Sequence, residues 1–192
     1  MIKPGGRLNS ILIWLALPLM VAAWLLFGSP DMEPDTAPPT DGEQVPRYSL
    51  KGVEWTRLNG QGQREFTATA DGADYFDDES ARYEQLEVTV VGISQTPWHL
   101  TSPKGAAPPH EKRISMQGPV DIDGAWPDGE AVTMQMAQLW VDPVKRQLQT
   151  QEGVVFNSVS RSGRSKGLQA DWEKQTVQLL GDVRMEYVPR PR

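Results

Sequence analysis

The chain contains no cysteine and only two histidines, His99 and His110, among its 192 residues. The first absence excludes disulfides, thiolate metal sites, cysteine nucleophiles and a lipid anchor on cysteine, and the second excludes a histidine-rich metal centre. Positive charge is also in short supply: 19 bases face 25 acids, for a net charge of −6. With no basic surplus to neutralise phosphates, the composition argues against a nucleic-acid surface. Helical periodicity is scarce after residue 46, and no H-E-x-x-H, Walker or G-x-G-x-x-G pattern occurs. Proline (16) and glycine (17) are plentiful, which favours short elements joined by many turns.

One long apolar run is present. Ile11 to Gly28 is 18 residues without a charge, about 27 Å as a helix and so just long enough for a hydrocarbon core of about 30 Å. Lys3 and Arg7 precede it and the first charges after it are acidic, which predicts a cytoplasmic N-terminus. A cleaved signal peptide is the competing reading. Val21-Ala22-Ala23 offers a small-residue site, but Trp24-Leu25-Leu26-Phe27 carries the apolar run straight through it, which favours an uncleaved anchor. Residues 29–46 then hold five prolines, five acids and no base, the composition of an extended, self-repelling spacer. The expected layout is a tail over 1–10, a transmembrane helix over 11–28, a Pro-rich acidic linker over 29–46 on the outward side and a domain over 47–192. That domain carries 17 bases and 20 acids, so most of the acidity sits in the spacer.

Within the domain, alternation of apolar and polar residues predicts antiparallel strands with one apolar face. Phe66 to Ala70, Leu86 to Val90, Val132 to Met136 and Leu168 to Trp172 all alternate, separated by turn signals such as Asp71-Gly72, Pro127-Asp128-Gly129 and Asp142-Pro143. The predicted fold is all-β: a twisted antiparallel jelly roll or two-sheet sandwich behind one N-terminal helix. Ile114-x-Met116-x-Gly118-x-Val120-x-Ile122 matches Val177-x-Leu179-x-Gly181-x-Val183-x-Met185 at an offset of 63, and the central glycines predict a bend in each. Tyr75, Trp140 and Trp172, each just before a polar turn, read as a second repeating element.

Signals for chemistry are weak. A glycosidase needs two carboxylates facing one cleft, but Asp77, Asp78 and Asp142 fall in turns, and Asp121, Asp123 and Glu186 on polar strand faces. His99 and His110 lack a partner. The apolar faces say more: Met116, Met134, Met136 and Met185 share the apolar phase of their strands, and methionine adapts to ordinary cores and flexible ligands alike.

The combined layout resembles the LptC family, bitopic components of the bacterial lipopolysaccharide exporter. The resemblance rests on Thr96 to Pro103, Met116-Gln117-Gly118-Pro119-Val120, Leu139 to Pro143 and Leu180 to Met185, and it extends over nearly the whole chain. It implies a non-enzymatic protein of the inner membrane with no cofactor, whose helix packs on a transporter (LptF, LptG, LptB). Its jelly roll would accept lipopolysaccharide and pass it to the periplasmic bridge protein LptA. The expected groove lining is Phe66, Tyr83, Leu86, Val88, Met116, Val132, Met134, Met136, Leu148, Phe156 and Leu179. The expected docking edges are Tyr48, Leu50, Val53 and Trp55 toward the transporter, and Val183, Met185 and Tyr187 toward LptA. The family has a sensitive glycine to which Gly163 or Gly167 corresponds. Two segments depart from the pattern: Gly105 to Lys112 reads as a long connection, and the basic stretch Val159 to Lys166 as a mobile loop, for which a solvated role is favoured over contact with lipid phosphates. A soluble bridge protein and a β-sandwich carbohydrate-active enzyme are the alternative readings.

Overall fold

The structure, a computed structural model, describes residues 44–187. The expected tail, membrane helix and most of the linker lie outside these residues. Among the described residues no helix is long and apolar enough to cross a membrane.

Twelve strands lie among the described residues: β1 (Tyr48–Leu58), β2 (Arg64–Tyr75), β3 (Ala81–Val90), β4 (Trp98–Ala107), β5 (Ile114–Ala125), β6 (Ala131–Asp142), β7 (Gln147–Thr150), β8 (Val154–Ser158), β9 (Arg161–Ser165), β10 (Gly167–Asp171), β11 (Thr176–Leu180) and β12 (Arg184–Tyr187). All pairings are antiparallel, and they form one sheet rather than two separate ones. β1 to β6 follow chain order; the sheet then forks. The C-terminal half of β6 pairs with β7 and leads on to β10 and β11, whereas its N-terminal half pairs with β8 and leads on to β9 and β12.

The fork begins as a crease across the long strands. Inward residues alternate at a spacing of two on either side and slip to three once per strand: Leu50 to Val53, Ala70 to Ala73, Tyr83 to Leu86, Ser102 to Gly105 and Met136 to Leu139. Each slip adds a residue that bends the strand. In β5 the irregularity falls at Gly118, with φ 95°, and between β11 and β12 at Gly181, with φ 61°. Both are left-handed conformations that glycine adopts without strain. The two expected bends are therefore present. The matched segments differ in kind, however: the first is one kinked strand, and the second is two strands on opposite branches of the fork.

The crease divides the sheet into two walls. The first wall ends in β7, β10 and β11, the second in β8, β9 and β12. They face each other, because residues of both walls form one buried cluster that includes Leu139, Leu148 and Leu168 of the first and Leu100, Met134 and Phe156 of the second. The hydrophobic burial of this shared face is the main stabilisation of the fold.

The turns sort differently from the expected repeat. Phe76 and Trp126 occupy one turn type, in which the aromatic residue's N–H donates to the carbonyl of Ser80 or Glu130 and its own carbonyl accepts from Glu79 or Gly129. Asp142 and Asp171 cap a second type, each accepting two successive backbone N–H groups through Oδ1. Tyr75, Trp140 and Trp172 therefore do not share a turn. Of the segment expected as a long connection, Gly105 to Ala107 belongs to β4.

Candidate functional site

The pleat places every second residue on the inner face, and the ladders align these residues into rows. One row of the second wall runs Trp55, Ala68, Val88, Leu100, Ile122, Met134, Phe156, Gly163 and Met185, from the first strand to the last. A row of the first wall runs Leu50, Ala73, Tyr83, Gly105, Met116 and Leu139. All eleven expected lining residues lie on this inner face. Phe66, Leu86, Val88, Val132, Met134, Met136 and Phe156 stand on the second wall, and Tyr83, Met116, Leu148 and Leu179 on the first. Nine of the eleven are buried, while Tyr83 and Leu179 are partly exposed.

The face is packed shut in its middle and opens toward β1. There Val53, Trp55, Ala68, Ala70, Tyr75, Tyr83, Leu86 and Ile114 line an apolar cleft of about 90 Å³. Ala68 and Ala70 leave this space because they are small; larger residues in the same phase would fill it. Tyr48 stacks on Tyr75 at 4.9 Å between ring centroids, and Tyr75 meets Tyr83 edge-on at 6.4 Å, so three tyrosines floor one side of the opening. Burial, with Tyr75 beside it, pushes the Tyr83 phenol well above its usual value. A cleft of this size is far below the roughly 300–1,000 Å³ of preformed small-molecule sites.

Two ion networks hold the ends of strands. Glu65, 7 % exposed, bridges Arg57 at 2.8 Å and Arg146 at 3.1 Å, and Arg146 also meets Glu173. Arg57 further donates to the Pro143 carbonyl, and Phe66 stacks on Trp172 at 6.4 Å. This network ties the β1–β2 turn of the second wall to the β6–β7 turn of the first. In the other network, Glu130 accepts from the Ser160 hydroxyl and backbone N–H and from Arg161, which also meets Asp128 at 2.6 Å. The Ser160 hydrogen bonds, with those of Arg161, hold the Glu130 carboxyl down to about 2.

That second network corrects an expectation. The basic stretch around residues 159–166 is not a mobile loop: Arg161–Ser165 is strand β9, with Arg161 engaged by two carboxylates and by the face of Trp126. Gly163 lies in that strand, where an added Cβ would meet the Arg184 carbonyl oxygen and approach the Phe156 ring to 2.7 Å. Gly167 is also tight, at 2.7 Å from the Thr150 carbonyl oxygen.

Both edges are open among the described residues. β1 pairs only with β2, and its Tyr48, Leu50, Trp55 and Leu58 are 41–53 % exposed. Tyr48, Leu50, Val53 and Trp55 all sit on the inner face. The opposite end has two edges, β11 and β12, where one was expected. Met185 and Tyr187 lie on β12, 49 % and 66 % exposed; Val183 lies just before the strand, in the bend that follows Gly181. The acids weighed as a catalytic pair, Asp121, Asp123 and Glu186, are exposed on the outer face. His99 lies near the Thr89 hydroxyl and His110 near Glu79. No group of side chains among the described residues is arranged to hold a metal ion.

No curated protein matches the chain. A crystal structure of LptH, the LptA homologous periplasmic component of the lipopolysaccharide transport device from Pseudomonas aeruginosa, is similar at 14 % identity and a TM-score of 0.47, covering 66 % of this chain and 95 % of that one. The family model described as LptC, lipopolysaccharide-assembly, LptC-related, matches residues 15–188. With that match spanning most of the sequence, the chain belongs to the LptC family.

Proposed function

We infer that the protein carries lipopolysaccharide from the inner membrane toward the outer membrane, held to the membrane by a helix over residues 11–28. The observation that carries this reading is the apolar inner face, which runs from the open edge at β1 to β8 and, past Gly163 of β9, resumes at Met185 on β12. Acyl chains cannot cross water bare, since each buried CH₂ is worth about 0.8 kcal/mol, and a face of rows rather than a pocket shelters a chain at every point of its passage. The lining residues are those of the two walls, with Val53, Trp55 and Tyr83 at the mouth. Lipid arrives from the transporter at β1 and leaves for an LptA-type bridge protein at β12. The membrane helix packs on the transporter and tunes its ATPase.

Strand direction supports such a passage. Eight antiparallel pairings separate β1 from β12 through the second wall, and eight separate β1 from β11 through the first. First and last strands therefore run the same way, and a neighbour of the same build continues both walls at once by strand addition.

Site-specific photo-crosslinking in cells tests the reading. Crosslinkers at Tyr83 and Met134, on the inner face, are expected to capture lipopolysaccharide, while those at Glu84 and Gln135, on the outer face, are not. Capture at none of the four positions in a folded, anchored protein would overturn it.

A further inference from the structure

An outer row of the second wall carries a charge gradient. It runs level from Glu54 on β1 through Glu87 and Asp121 to Arg164 and Arg184 at the far end, on the solvent face of the residues described above. Arg164 and Arg184 are direct cross-strand partners, both exposed, and no carboxylate among the described residues pairs with either. Like charges directly opposite destabilise a ladder. Their presence on a terminal pair calls for a carboxylate from outside.

We propose that the strand received by β12 belongs to a partner domain and carries an acidic residue on its outer face, level with Arg184, followed by a large apolar residue on its inner face, level with Met185. The proposal rests on the reading of β12 as a docking edge. The first strand of this chain shows what such a strand looks like, because Glu54 and Trp55 occupy these two levels at the opposite end. The row thus ends in acid on one side and base on the other, so strand addition is favoured from β12 to a β1-like strand and opposed between two β12 edges or two β1 edges. The gradient supplies orientation, while backbone hydrogen bonds and the apolar row supply affinity.

The test uses the full chain in lipid nanodiscs and the purified LptA-type bridge protein of the same cell. R184E is expected to weaken binding at least fivefold, while its melting temperature stays level or rises, because Arg164 gains a partner. Reversing the matching acid on the bridge protein's first strand is expected to restore binding to R184E. If R184E binds like the parent while M185P does not bind, the charge inference fails and the docking edge stands. If M185P also binds like the parent, both fail. Loss of self-association in R184E with bridge binding intact would assign the edge to a second copy. Loss of sedimentation with anionic phospholipid vesicles, again with bridge binding intact, would assign the arginines to lipid phosphates. Either result overturns the proposal.

Discussion

Leu100, Ile122 and Met134 in the middle of one inner row, and Trp55 and Met185 at its two ends, stand in the same alternation on the same face. The middle residues are at most 2 % exposed; Trp55 and Met185 are 41 % and 49 % exposed. What differs is only whether a strand lies on both sides. An apolar side chain flanked by two strands and faced by the other wall is core; the same side chain on an edge is unfinished surface, a hazard unless a partner covers it. The middle therefore answers to stability and the ends to association, and substitutions separate the two.

The largest effect is expected at Trp98, the largest fully buried side chain and part of the same middle. Its indole N–H donates to the Ala125 carbonyl at 2.9 Å and its ring lies against Gly124. W98A removes the packing, leaves a cavity and orphans a carbonyl. A loss of about 3–5 kcal/mol is expected from chemical denaturation. Next comes E65A, which leaves Arg57 and Arg146 facing each other without their shared carboxylate. Breaking a buried pair from one side is costly, so a loss of about 2–4 kcal/mol is expected, with faster hydrogen exchange in both the β1–β2 and β6–β7 turns. Loss in one turn alone would show that the network does not tie the walls together.

Strand positions and strand phase were legible in the sequence because alternation is local. Every expected lining residue lies on the inner face for that reason. The crease was written there too, as the three-residue steps from Ala70 to Ala73 and from Tyr83 to Leu86, but a slip of one residue has meaning only when neighbouring strands share it, and register is not local. β9 was missed because Arg161-Ser162-Gly163-Arg164-Ser165 has no apolar residue at all; it is held by ladders on both sides and by Glu130, 31 positions from Arg161. The forked edge was missed for the same cause. Gly181 marks the break between β11 and β12, but only the pairings reveal that each joins a different wall.

A smaller effect appears with acid. Glu130 holds its proton only near pH 2 in the folded chain, whereas an unfolded glutamate does so near 4.5. Its contribution is therefore complete above about pH 4.5 and disappears as the pH falls to 2. Thermal unfolding from pH 6 to pH 2 is expected to show a steeper loss for the parent than for E130Q below pH 4.5, with the two curves converging at the acid end. Parallel curves would mean that the Ser160 and Arg161 contacts add nothing to the anchoring of β9.

The smallest change in stability and a large change in association are expected together at Met185. β12 is exposed along its whole length and, among the described strands, pairs with β9 alone. M185S removes little buried surface, so its unfolding free energy is expected to lie within about 0.5 kcal/mol of the parent. The same substitution interrupts the inner row at the place where the proposed partner strand continues it. Binding of the bridge protein is expected to fall while folding is unchanged, the opposite of a conservative change such as Leu100→Ile, which disturbs the core and leaves the edge intact. If M185S unfolds at markedly lower denaturant, Met185 belongs to the core and the division between middle and end lies further out than β12; if M185S keeps both stability and binding, the apolar row ends at Phe156, and the last strand contributes only its backbone to the junction.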